Sequence, residues 1–265
     1  MPLVVLVGVG VGLLVAPGAR SSRPSSIRSH AAQPIDAQSR QVAALPAPAK
    51  GFGIPRAQQL KRSADITKWA SVLRAIDAHQ RSSWSSPVVV PVSTRTPEGT
   101  SNLVVADGEV TRDGVSWVHA RLAVLPDGRT GWIPRSALGG WTFVDTRVVV
   151  DRADLTLTLY RAGKEVFRTP VGIGKPSTPT PTGEFYVRDR LTSYASPEYG
   201  PLAFGTSARS PYVTDWPAGG FIGIHGTDEP GLIPGRVSHG CIRLRNAAIL
   251  KLGRLMPVGT PVTIR

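Results

Sequence analysis

The one cysteine of the chain, Cys241, stands in the stretch VSHGCIRLRN, two residues after His239 and sixteen after His225. A thiol is nucleophilic as its thiolate, and a nearby imidazole can take its proton and stabilise the resulting ion pair. Glycine at 226 and 240 lets the backbone come close to a substrate. The amides of Gly240 and Cys241 can then point at a developing oxyanion. Three chemistries fit these residue types. Cys241 can be a small buried hydrophobe, with His225 and His239 as turn residues. His225, His239 and Cys241, with Asp228 or Glu229, are zinc-type ligands, although His-x-Cys is tighter than the two-to-four-residue spacing usual for ligand pairs. The third chemistry is Cys–His acyl transfer.

Positioning such a pair requires a scaffold, and the sequence around it reads as strands. RVVVDRADLTLTLYRAGKEVFRTPVGIG is a hairpin, with alternating Leu155, Leu157 and Leu159, a turn at Ala162-Gly163-Lys164, and a return strand from Val166 to Gly172. GEFYVRD, GGFIGIHG and the terminal TPVTIR add strands. Asn246 is expected to cap a helix through AAILKLGRLM, with Ile249, Leu252 and Met256 on one face. GIGKPSTPTPTG is not a phosphate loop: Thr169 stands where the first glycine belongs, and prolines follow where a helix should begin.

Upstream, the texture differs. Leu3 to Ala16 is an apolar run too short for an ordinary spanning helix but suited to the core of a secretion signal, so residues 1–19 read as a signal peptide or N-terminal anchor. Residues 20–58, rich in Ala, Ser, Pro, Gln and Arg, read as a disordered linker. Over 59–85, Ile66, Trp69, Leu73 and Ile76 recur at spacings of three, four and three, which predicts a helical segment. From 86 to 140, SPVVVPV, SNLVVAD, SWVHARLAVLP and TGWIPRSAL are short strands broken by turns, as in a small barrel.

Two resemblances bear on this reading. WVHARLAVLPDGRTGWIPRSAL resembles the closing strands of bacterial SH3-like domains. There Trp117 and Trp132 form either a ligand groove or the filling of a small core. IHG at 224–226 followed by SHGCIR at 238–243 resembles the signature of the L,D-transpeptidase catalytic domain, the peptidoglycan cross-linking enzymes with a cysteine nucleophile. LTLYRAGKEVFRTPVGIGKPSTPTPTGEFYV and PVGTPVTIR resemble that family's opening and closing strands, so the likeness covers residues 141–265.

The resemblance implies a mostly β protein: an SH3-like barrel followed by a β-rich catalytic domain with a C-terminal helix. It places the nucleophile on Cys241 and its proton-transfer partner on His225. Gly240, His239 and Ser238 shape the oxyanion site, and Arg243 and Gly226 lie against substrate. Many members have asparagine where this chain has Arg243. The implied reaction is L,D-transpeptidation on tetrapeptide stems through a thioester, with release of D-alanine and no metal or cofactor. The alternatives are an L,D-carboxypeptidase, with water as the acceptor, and a non-catalytic wall-binding protein.

Composition agrees with an envelope protein. The formal net charge of +13 favours anionic partners, and anionic wall polymers are among them. No basic helix interleaved with aromatics, finger spacing or RNA-binding strand signature supports nucleic acid. With one cysteine there is no intrachain disulfide to reveal the compartment. The apolar leader points to an extracytoplasmic location in the cell envelope, with membrane association at the N-terminus if the leader stays attached.

Overall fold

A computed structural model describes residues 66–192, 196–213 and 220–265. The expected leader and linker, and the start of the expected helical segment, lie outside the described residues. The rest is mostly β, with one α-helix among the described residues.

The first sheet holds β1 (Thr67–Ser71), β2 (Ile76–His79), β3 (Val88–Val92), β4 (Leu103–Arg112), β5 (Val115–Arg121), β6 (Thr130–Pro134) and β7 (Thr142–Val144), in the order β3-β2-β6-β5-β4-β1-β7. The helix expected over 59–85 is therefore corrected where the residues are described, since 67–71 and 76–79 are strands. The helical spacing marked the wrong face: Ile66 and Leu73 are exposed, whereas Ala70, Val72 and Ala78 are buried. The alternation of Ala70 and Val72 is a strand's, and antiparallel pairing of β1 with β4 and β7 overrides the helical pattern. Trp117 is sealed in the interior, which removes it from any open groove, while Trp132 is half-buried and stacks on His119 at 4.8 Å.

The chain crosses to the second sheet between β7 and β8. That sheet holds β8 (Thr146–Asp151), β9 (Thr156–Arg161), β10 (Lys164–Pro170), β11 (Gly172–Gly174), β12 (Gly183–Leu191), β13 (Ala203–Arg209), β14 (Phe221–His225), β15 (Gly235–Ser238), β16 (Ile242–Arg243) and β17 (Pro261–Ile264). Their order is β10-β9-β8-β17-β12-β13-β14-β16-β11-β15. In the β9–β10 hairpin Arg161 pairs with Lys164 across a two-residue turn. Ala162 and Gly163 sit there at φ of 47° and 77°, the doubly left-handed turn that matches strand twist. Val148, Val150, Leu157, Leu159, Val262 and Ile264 form one side of its core.

Helix α1 (Asn246–Leu255) buries Ile249 and Leu252 in the same core. Its N-cap is Arg245, whose carbonyl accepts from Ile249 N at 3.0 Å. Asn246 is thus not the cap: its side-chain oxygen accepts the Thr227 N–H at 2.9 Å and ties the helix start to the loop after β14. Met256, buried, follows the last helical turn.

Candidate active site

The site is built on the parallel pairing of β14 with β16, which sets Ile224 beside Ile242 and His225 beside Arg243. Side chains alternate across a strand. Ile222, Ile224 and Ile242 therefore enter the core, each no more than 2% exposed, while Phe221, Gly223 and His225 share the other face with Cys241 and Arg243. Phe221, His225, Ser238, His239, Cys241 and Arg243 all line one cleft. The sixteen-residue separation of histidine and cysteine in sequence is the length of chain needed to leave β14, form β15, and return in parallel.

Gly223 is the position that lets the pair meet. Its N–H donates to Cys241 Sγ at 3.3 Å. A Cβ at 223 would lie 3.4 Å from His225 Cδ2 and 3.7 Å from Cys241 Sγ, so a side chain there would sit in contact with both base and nucleophile. His225 is 2% exposed, and its Nδ1 lies 2.6 Å from the Gly226 carbonyl oxygen. A carbonyl only accepts, so Nδ1 carries the proton and Nε2, next to Cδ2, is the basic nitrogen. The Tyr199 ring packs on the imidazole at 4.7 Å. Gly226 has no space for a side chain, because a Cβ would run into Asn246 Oδ1.

The nucleophile loop is pinned at several points. Ser238 Oγ donates to the Cys241 carbonyl at 2.6 Å and accepts from Gly240 N at 3.1 Å. The Gly240 amide, expected to face an oxyanion, is thus engaged by Ser238. Gly240 itself has φ of +124° and would clash with Ile222 if it carried a Cβ. Thr180 Oγ1 donates to the Gly240 carbonyl at 2.7 Å and accepts from Gly174 N at 2.9 Å. This bridge fastens the loop to β11.

Comparison with known proteins decides the family. Residues 145–264 match YkuD, the L,D-transpeptidase catalytic domain. Over 166 residues, 62% of this chain and 93% of the relative, the sequence is 37% identical to a Bacillus subtilis protein named as the L,D-transpeptidase YkuD. The chain belongs to the L,D-transpeptidase family. A Salmonella typhimurium relative named as the L,D-transpeptidase ErfK/SrfK is 31% identical over 192 residues, covering 65% of this chain and 57% of its own length. Among solved structures, the catalytic domain of the E. faecium L,D-transpeptidase is 29% identical, with a TM-score of 0.36 over 46% of this chain and 97% of its own. Membership in the L,D-transpeptidase family makes the chain an acyltransferase of peptidoglycan cross-linking, a reaction of the cell wall.

In this L,D-transpeptidase domain both members of the pair are held neutral. Burial, and then the Arg243 charge, lower His225 to about 4 against the opposing hydrogen bond to Gly226. Burial raises the Cys241 thiol, although the Gly223 N–H and Arg243 pull the other way. Burial thus works against the ion pair that the residue types allow. Arg243 is itself neutralised: it donates to Glu229 at 2.9 Å and to Glu198 at 2.7 Å. Glu229, considered above as a metal ligand, serves instead as a partner of this guanidinium. Among the described residues, no group of three or more His, Cys, Asp or Glu is placed to hold a metal ion.

His239 lies exposed at the cleft rim, away from the buried position of His225. Gly223, Thr180 and Tyr199 were not singled out from sequence. The alternation Phe221-Ile222-Gly223-Ile224-His225 was the available signal for Gly223, a small residue on the histidine's own face. Nothing local marks Thr180, which becomes part of the site by packing across sixty residues.

Proposed function

We propose that the chain is a cysteine-dependent L,D-transpeptidase acting on peptidoglycan tetrapeptide stems. The observation that carries this reading is the shared strand face that brings Gly223, His225, Cys241 and Arg243 together. His225 Nε2 takes the thiol proton as Cys241 Sγ attacks the carbonyl of the third, diamino-acid residue. The negative charge on the carbonyl oxygen is met by the Cys241 amide. The C–N bond to the terminal D-alanine breaks, the imidazolium returns its proton to the leaving amine, and a thioester remains on Cys241. An amine of a second stem then attacks the thioester, His225 takes its proton, and the thiol is released.

Starting from a neutral pair, the proton passes from thiol to imidazole in step with the attack on the carbonyl, where the developing charge is taken up by the oxyanion. Ser238 and Thr180 hold the loop, Tyr199 holds the imidazole plane, and Arg243 with its two glutamates frames the substrate side. The SH3-like resemblance of 86–140 supports a wall-binding role for the first sheet. The reading also places the protein outside the cytoplasm, where the wall is assembled.

Intact mass measurement after mixing with a disaccharide-tetrapeptide tests the reaction. The expected result is a covalent adduct, equal to the stem less D-alanine, mapped to Cys241, followed by cross-linked dimers. Trimmed monomers without dimers would make the enzyme a carboxypeptidase. Absence of any Cys241 adduct would overturn the mechanism.

A further inference from the structure

A second cavity, of about 370 Å³, lies where the two sheets meet. That volume is within the range of small-molecule sites. Its wall combines two kinds of surface. Val90, Val92, Leu103, Val104, Tyr186 and Phe221 make it apolar, and four arginines, Arg95, Arg121, Arg188 and Arg209, supply the charge. Among the described residues, no aspartate or glutamate lines it. Carboxylates balance two of these guanidiniums: Asp107 accepts from Arg121 at 2.8 Å, and Glu98 accepts from Arg188 at 2.6 Å with Asp189 3.5 Å away.

Arg188 is almost completely buried, yet its Nε has no hydrogen-bond partner. Its guanidinium lies 3.7 Å from the centre of the Phe221 ring, and that of Arg209 lies 4.9 Å from the same ring. A buried N–H donor without an acceptor is costly in a folded protein. Phe221 is the hinge of the observation, since it lines this cavity and the catalytic cleft as well. The two spaces are thus neighbours that share one aromatic wall.

We propose that this cavity binds the carboxylate-bearing end of a second peptide stem, the acceptor, alongside the cleft that holds the first. The inference rests on the transpeptidase reading. A ligand with aliphatic side chains and a terminal carboxylate matches the mixed wall, and planar guanidinium groups suit a carboxylate's two oxygens. Joining two stems requires both to be present on one enzyme. A site that shares a wall with the catalytic cleft raises the local concentration of the attacking amine over that of water.

The test uses the full chain carrying Cys241→Ala, with the free tetrapeptide stem as probe in equilibrium dialysis. Two stems per chain are expected, and one in the Arg95→Ala/Arg209→Ala background. A stem amidated at its terminal carboxyl should lose the second site, with affinity falling at least about tenfold, the scale of a lost charge-assisted hydrogen bond. With Cys241 restored, the same double variant should form the thioester at close to the normal rate while the KM for the acceptor rises. A single stem per chain in Cys241→Ala, or equal binding of the amidated stem, would overturn the proposal. So would inorganic phosphate occupying the cavity in place of the stem. Failure to form a thioester would count against the transpeptidase reading and leave the two-site count to be judged separately.

Discussion

A neutral imidazole beside a neutral thiol has a readable pH signature. Burial holds His225 near 4, so it stays unprotonated and able to act as a base well below the 6.5 of an ordinary histidine. Acylation should therefore persist as pH falls and decline only as it passes through about 4. A single-turnover profile with its acid limb near 6.5 would contradict this environment for His225. The same shift makes folding acid-sensitive. From pH 6.5 down to about 4 the unfolded chain binds a proton that folded His225 refuses, so this residue's contribution to stability, complete above 6.5, drops by about 3 kcal/mol. The two histidines of the motif should also separate by mutation. His225→Ala is expected to slow acylation by about 10² or more, the usual scale for losing a general base. His239→Ala, at the exposed rim, should cost clearly less. Rapid-quench measurement of thioester formation in both variants checks the assignment.

At the scale of elements, the pairing of β14 and β16 carries the chemistry, and Gly223 is its test. The backbone at 223 does not need glycine for its conformation, since its φ lies outside the left-handed range, and an added methyl would make only ordinary or slightly tight contacts. Those contacts are with Cys241 Sγ and the His225 ring, so the methyl would crowd the space beside the two reacting groups without clashing with them. Gly223→Ala should therefore lower acylation by about tenfold or more, because small displacements of reacting atoms are expensive. Its melting temperature should stay within a few degrees of wild type. Loss of the fold, or full activity, would show that the strand does not impose the alignment.

For the whole molecule, the two sheets are joined by a buried charge cluster as well as by apolar contact. Arg188 on β12 reaches Glu98 in the β3–β4 connection at 2.6 Å and lies 3.5 Å from its neighbour Asp189. Burial, with Glu98 close by, raises the Asp189 carboxyl above the ordinary carboxylate range despite the Arg188 charge. Removing one member of a buried pair leaves its partner uncompensated. Arg188→Ala should thus cost about 3–5 kcal/mol in urea unfolding. If the first sheet separates from the second in that variant, the unfolding curve should split into two transitions. An unchanged midpoint would mean that apolar contacts around Leu103, Val105 and Tyr186 hold the sheets together by themselves.

Local residue pattern was enough to read the reaction class and most of the second sheet. A unique cysteine, a histidine sixteen residues before it and the SHGCIR stretch are contiguous or nearly so, and the hairpin at Ala162-Gly163 is written in its turn chemistry. The strands Thr67–Ser71 and Ile76–His79 were not legible, because helical spacing and strand alternation coexist in that stretch and only pairing with distant β4 and β6 chooses between them. The protonation state of the pair was equally out of reach: spacing shows that an imidazole and a thiol can meet, whereas burial decides whether they ionise. Residues such as Gly223, Thr180 and Arg188 acquire their roles through neighbours far away in the chain. Chemistry that depends on residue type is local and survives in the one-dimensional pattern. Desolvation, register and the cavity between the sheets are properties of what surrounds a residue, and only the folded chain supplies those surroundings.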